Sequence, residues 1–432
     1  MLTINEKLLE IPVVYTKKIT EAIKSDPTVV NLARGDSEFI TPRQVTNYLK
    51  SIIDDEGNHA DDINKPIGKW THYEKESGSI NLKRAIVGKY HRESQVDVDM
   101  ANILITHGGM NAIFYALSAI AEDGDEVLIF DPAYIAYYPI TNYLIHGLTV
   151  KRICLNQFND YRIDFNTLSR LISKKTKAIV FTSPYNPCGR VYTYDEIHQL
   201  SMFCKENQIY LIHDENHEKE VYDNTVHYPA ILFDSKMEYT ICLNSMSRLG
   251  MGGWRVGWMI ANPKIIRAAT SVHAYVNMTC NTFVQESAAY ALSHYDELGF
   301  DDIFKQYSQK RVLLHDALNR IEGVKCILPE GTCYLFPDVK EFFDNNIIDI
   351  KKTIYESNWY LNLSQSEKEK ENTLIESSVS YKVYLYLLIK YRVGVLPGCC
   401  YGPESDHHIR LSFSVKKAAI DEAVKRLKPI MR

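Results

Sequence analysis

No CxxC pair occurs among the nine cysteines, and Cys399 and Cys400 are sequence neighbours. That usage argues for reduced thiols rather than a disulfide framework or a zinc site, and fits a reducing, cytoplasmic compartment. Basic excess is missing as well: 49 Lys+Arg stand against 54 Asp+Glu, a formal net charge of -5, which leaves no electrostatic footprint for nucleic acid. The longest apolar runs, such as YLYLLI from Tyr384, are far too short to span a bilayer. At the N-terminus, MLTINEKLLEIPVVY breaks its apolar stretch with charges and has no signal-peptide core. No internal repeat is present. A soluble protein with neither nucleic acid nor membrane as partner is expected.

What the sequence does hold is apolar content, 45% of 432 residues, enough for a sizeable core split over two or three domains. From about residue 80, helical patterns alternate with short β-branched or aliphatic runs: NILIT (102–106), EVLIF (126–130), AIVFT (178–182), IYLIH (209–213) and TICLN (240–244). The alternation predicts an α/β domain with a mostly parallel sheet. Glycine, proline or polar residues follow each run at once, as HGGMN, DPAY, SPYNPCG, DENH and SMSRLG. Ligands of open α/β sheets bind at the carboxyl ends of the strands, so the five tails are expected to converge on one crevice.

Long helical segments are predicted from Val284 to Ile321, and an α+β pattern over 322–432, with the short strands GTCYLFPDV and HHIRLSFSV and a terminal helix AAIDEAVKRLKPIM. The polar segment from Asn345 to Ser380, with SQSEKEKEN, reads as a solvated insertion or flexible loop.

Each tail has a plain structural reading beside a functional one. THGGMNAI (106–113) is a tight strand-to-helix turn or an anion cradle, SPYNPCGRVY (183–192) contains an Asn-Pro turn, and Asp214 after IYLIH suits a helix N-cap. With 29 tyrosines in the chain, a core or surface role is the default for any one of them.

In order and spacing, however, the tails together resemble the class I/II aminotransferases of the fold type I pyridoxal phosphate (PLP) enzymes, from about Asn31 to the C-terminus. The resemblance implies a PLP-transferase type I fold. A large PLP-binding α/β domain would span 45–320 and a smaller α+β domain 1–44 and 321–432, with the polar insertion at about 345–380. It further implies PLP as cofactor, a small-molecule amino acid as substrate, and a homodimer. Gly108, Gly109 and Met110 would offer backbone N–H groups to the phosphate, and Tyr134 of DPAYIAYY would stack on the pyridine ring. Asn186 would bond the ring hydroxyl oxygen and border the substrate, and Asp214 would pair with the pyridine nitrogen, making the ring an electron sink. In SMSRLGMGGWRVGW (245–258), Ser245, Ser247 and Arg255 would hold the phosphate. Arg410 of HIRLSF would grip the substrate α-carboxylate, Gly35 of LARGDSEFITP would line the substrate end, and Tyr73 would reach a phosphate across the dimer interface.

Two positions depart from the pattern. His217 stands where the family usually has a tyrosine touching the same ring oxygen as Asn186, and Arg248 stands at the Schiff-base lysine. An arginine is a poor nucleophile and a poor base, because its pKa lies above about 12 and its lone pair is delocalised. The cofactor would then be held noncovalently, and a substrate amine would condense with it directly. An introduced substitution, natural divergence of an enzyme, or a binding protein that has lost the chemistry all fit Arg248; the second departure at His217 favours divergence. Retention of Asp214, Asn186, Arg255 and Arg410 points to an enzyme of amino-acid metabolism doing transamination or another reaction at Cα. The alternative is a noncatalytic PLP or amino-acid binding protein on the same fold, which turnover would separate. A nucleotide-dependent dehydrogenase is discarded, since GMGGWRVG supplies no GxGxxG after a strand.

Overall fold

The computed structural model describes residues 8, 23, 26–35, 37–57, 70 and 72–431. The segment MLTINEKLLEIPVVY, where no signal-peptide core is read, lies outside them apart from Leu8. Among the described residues twelve strands follow in chain order: β1 (Val30–Asn31), β2 (Ile103–Thr106), β3 (Glu126–Asp131), β4 (Thr149–Cys154), β5 (Thr176–Thr182), β6 (Tyr210–Asp214), β7 (Thr240–Ser245), β8 (Gly257–Ile260), β9 (Tyr334–Leu335), β10 (Val393–Gly394), β11 (Leu396–Pro397) and β12 (Ile409–Ser412). Seven of them form one sheet in the order β2-β8-β7-β6-β5-β3-β4. Its pairings are parallel except for those of β8, which runs antiparallel to both β7 and β2. The expected mostly parallel α/β sheet is therefore present, and all five predicted runs lie in it.

Those runs are almost continuously apolar because both faces of the sheet are covered. Along β3, Val127 and Ile129 enter one core while Leu128 and Phe130 enter the other; Ala178 and Val180 against Ile179 and Phe181 repeat the alternation on β5. The helices Gly109–Ile120 and Pro263–Val276 close one face through Ala112, Ala116, Leu117, Ile266 and Ala269. On the other face, Leu82 and Ile86 of the helix Ile80–Ser94 and Ile197 and Leu200 of Tyr194–Glu206 pack against the sheet. Each of these last two helices begins at a hydroxyl cap: Ser79 accepts from Asn81 N at 3.2 Å, and Thr193 forms a capping box with Glu196.

Strands β9, β11 and β12 make a small antiparallel sheet, and β1 pairs parallel to β10. The predicted helical stretch is realised as Thr282–Ser293 and Phe300–Leu318. The polar segment is no loop. It is built from the helices Lys340–Tyr355, Asn358–Leu361, Gln365–Ser377 and the start of Val379–Tyr391. A capping box between Ser364 and Glu367 starts the most polar of them, and Ile375 anchors it in the core. Hydrogen bonds from Tyr360 to Asn372 and from Tyr381 to Glu371, 2.8 and 2.7 Å long, tie it to its neighbours. Among the described residues no helix is long and apolar enough to cross a membrane.

Beside β12, His408 stacks on Phe336 with ring centroids 4.6 Å apart, and both its nitrogens are buried without a partner. Burial, helped by His407, pushes its pKa down to about 3 from about 6.5. Between those values the unfolded chain binds a proton that the folded chain does not, so stability is lost as pH falls through 6.5 and below. At about pH 5 the loss from this group alone is about 2 kcal/mol. His408→Phe should therefore lose less stability than wild type in urea unfolding between about pH 7 and pH 5. Equal losses in the two proteins would show that the imidazole is not held neutral.

Candidate active site

The carboxyl ends of β2, β5, β6 and β7 meet the start of β8 around one crevice. After β2 the chain turns through His107 and Gly108 into the helix Gly109–Ile120. Gly108 has φ +82°, and a Cβ there would lie 2.7 Å from Arg255 Nη2, so the turn requires glycine. Its own N–H donates to the Thr106 carbonyl at 2.9 Å. Donors left for an anion at this helix start therefore include those of Gly109 and Met110, which have no intrahelical acceptor. Because β8 is antiparallel, Arg255 just before it stands beside the same turn, with Nη2 donating to the His107 carbonyl at 3.1 Å. Ser245, the last residue of β7, and Ser247 on the turn that follows complete this end, their hydroxyl oxygens 2.9 Å apart.

Across the crevice, Asp214 ends β6 with its carboxylate fixed by three donors. Tyr137 Oη donates to Oδ2 at 2.6 Å, and Asn216 donates to Oδ1 from its backbone N at 3.0 Å and from Nδ2 at 2.6 Å. Burial and the Asp214 charge push the Tyr137 hydroxyl well above the ordinary phenol range, which keeps it a donor. Asn186 is buried, and its Oδ1 has no hydrogen-bond partner. Tyr134, half-buried, stands edge-on to Tyr137 with ring centroids 5.4 Å apart.

His217 lines the crevice with its Nδ1 bonded to the buried carboxylate of Glu220. Burial, and then the Arg248 guanidinium, push the imidazole below its ordinary pKa against the opposing pull of Glu220. The ring is therefore neutral at pH 7, and with Glu220 accepting from Nδ1–H the lone pair lies on Nε2.

Arg248 turns toward the N-terminal segment and β9: Nη1 donates to the Gly35 carbonyl and Nη2 to Tyr334 Oη at 3.2 Å. Burial opposes its charge, but Tyr334, Cys333 and Glu220 outweigh that and hold it well above its ordinary pKa. Gly35 sits here because a side chain would overlap the Tyr334 hydroxyl. Arg410, on β12, lies against the other part of the Tyr334 ring, 3.9 Å from its centroid, and donates to the Ala33 carbonyl at 3.1 Å. Nε of both arginines is buried and unpartnered.

The crevice thus gathers Gly109, Met110, Tyr134, Asn186, Asp214, His217, Ser245, Ser247, Arg248 and Arg255 in its walls. Gly108 shapes it, while Gly35 and Arg410 join it through Arg248 and Tyr334. Tyr73 does not: 81% exposed, it touches no part of the crevice in its own chain. Sequence reasoning missed Tyr137, Asn216, Glu220 and Tyr334. Asn216 and Glu220 lie two and six residues after Asp214, and Tyr137 three after Tyr134, so proximity to the motifs was their only signal.

The family model described as aminotransferase class I and II matches residues 27–427. An aspartate aminotransferase from Pyrococcus horikoshii is 29% identical over 426 residues, covering 98% of this chain and 96% of that protein. Aromatic-amino-acid aminotransferase 2 from Thermococcus litoralis is 25% identical over 423 residues, covering 96% and 95%. Among solved structures, the aromatic aminotransferase from Pyrococcus horikoshii has a TM-score of 0.78 at 26% identity, over 95% of this chain and 98% of that one. An aspartate aminotransferase from Thermus thermophilus shares the fold, with a TM-score of 0.81 over the whole of both chains at 22% identity.

Proposed function

The chain belongs to the class I and II aminotransferase family, whose members use pyridoxal 5'-phosphate, and from that premise we propose that it binds PLP noncovalently and acts on an α-amino acid. The observation that carries this reading is Asn186: a buried carbonyl oxygen without a partner, in the same wall as the fixed Asp214 carboxylate, asks for a polar ligand between them. The rest of the crevice fits the group. The N–H groups of Gly109 and Met110, with Ser245, Ser247 and Arg255, would hold its phosphate, Tyr134 would cover its ring, and Asp214 would face its nitrogen. Bound there, PLP supplies an electron sink for carbanion chemistry at Cα.

The chain's own residues divide the remaining work. Arg410, seated on Tyr334, orients the substrate carboxylate, and Arg248 meets the same tyrosine through its hydroxyl. Arg248 keeps its proton and so cannot serve as a base. His217 can: it is neutral, fixed by Glu220, and presents Nε2 as the atom that takes a proton from the substrate and returns it. Divergence of positions 217 and 248 together would then be a transfer of the proton-moving role from lysine to histidine.

PLP added to the protein should bind and alter the visible spectrum, yet borohydride should leave no pyridoxyl adduct in the intact mass. A stable adduct on any lysine would overturn the noncovalent reading.

A further inference from the structure

A second cavity, of about 680 Å³, adjoins the crevice, and Met110 and Tyr134 line both. Three parts of the chain supply most of its apolar lining. The turns after Tyr134 contribute Ile135, Ile140 and Leu144, the helix Gln365–Ser377 contributes Leu374, and the turn Gly398–Tyr401 contributes Cys399 and Cys400. Tyr401, on the same turn, has its ring centroid 5.2 Å from the Arg410 guanidinium, so the chamber opens near the group that orients the substrate carboxylate.

Charge in this chamber is already committed. Arg152 Nη1 bonds both oxygens of Asp131, at 2.7 and 2.8 Å, and its guanidinium lies 4.3 Å from the Tyr138 ring centroid. Asp406 accepts from Ser378 Oγ, from Val379 N at 2.9 Å and from Ser380 Oγ at 2.8 Å. A side-chain carboxylate entering here would lose its water and meet, among the described residues of the lining, only a guanidinium already paired with Asp131. An apolar group would gain on every wall it touches. The volume is in the range of about 300–1,000 Å³ that encloses drug-sized molecules, larger than one aromatic ring needs.

We propose that this chamber is the side-chain subsite, and that the substrate is an α-amino acid ending in a bulky apolar group, such as a biaryl or long alkyl chain. The inference rests on the PLP and amino-acid reading above. It also gives the polar insertion a purpose, since the helix Gln365–Ser377 turns its solvated face outward and sets Leu374 into the chamber wall.

Calorimetric titration of the PLP-loaded protein with alanine, phenylalanine, 4-phenylphenylalanine and aspartate tests it. Affinity should rise by at least about tenfold from alanine to the biaryl, while aspartate gains nothing over alanine. Leu374→Trp, which narrows the chamber from a solvated helix, should cut the gain and leave alanine within about twofold; Leu144→Trp, from another part of the lining, should do the same. If alanine binds but the biaryl binds no better, or if both tryptophan variants keep the gain, the subsite is refuted while the parent reading stands. If no amino acid binds at all, the parent reading fails and the subsite with it.

Discussion

Arg248→Lys should convert a noncovalently loaded protein into one that holds PLP through a borohydride-stable bond. The expected result is a new visible band on adding PLP, an intact mass raised by one pyridoxyl phosphate group after reduction, and amino-group transfer at least about a hundredfold above wild type. A lysine amine deprotonates in a tuned pocket, whereas the Arg248 guanidinium is held well above its ordinary pKa. The contacts that would orient the cofactor, from Gly109 to Arg255 and Asp214, already surround the position, so the amine would act at high effective concentration. The substitution gives up the bonds to the Gly35 carbonyl and the Tyr334 hydroxyl, a cost of about 1–3 kcal/mol that a typical domain tolerates. A band without transfer would mean that the pocket has diverged at more than position 248, and His217→Tyr in the same background becomes the next variant. A folded variant with neither band nor adduct would mean that the crevice does not hold PLP as proposed.

Much of the sheet could be read in advance because its physics is local. A parallel strand covered on both faces must be apolar at every position, and AIVFT or TICLN states that directly. The polar punctuation after each strand marked where the crevice would form. What stayed hidden depends on distance in space rather than in sequence. Tyr137 looks like any of 29 tyrosines until the fold sets its hydroxyl 2.6 Å from Asp214. Tyr334 gains its place only when β9 and β12 pair and bring Arg410 onto its ring, with Arg248 arriving from the turn after β7. In the segment 345–380 the loop alternative failed for a different reason. Charged residues at SQSEKEKEN suit a disordered loop and a solvated helix equally, and what decides is one anchor, Ile375, and the hydroxyl cap at Ser364. At Gly108 the residue was legible but not its bond: a glycine-rich turn announces close approach, yet the N–H is spent on Thr106.

Asp214→Ala should weaken PLP binding by at least about tenfold, and by more if the pair with the pyridine nitrogen is well desolvated, since breaking a buried pair costs about 3–5 kcal/mol. The carboxylate is buried and already fixed by Tyr137 and Asn216, so its position at the end of β6 is set before any ligand arrives. That same network confuses the simple experiment, because alanine also strands the buried Tyr137 hydroxyl and destabilises the fold by about 1–3 kcal/mol. Asp214→Asn separates the two effects. Its carbonyl oxygen still accepts a hydrogen bond, so its melting temperature should lie nearer wild type than that of Asp214→Ala, but it carries no charge to keep the pyridine nitrogen protonated. Both variants should therefore lose PLP affinity, measured by spectroscopic titration, while only the alanine variant loses most of the stability. If the asparagine variant binds PLP as tightly as wild type, Asp214 is a structural acceptor for Tyr137 and the cofactor, if bound, sits elsewhere.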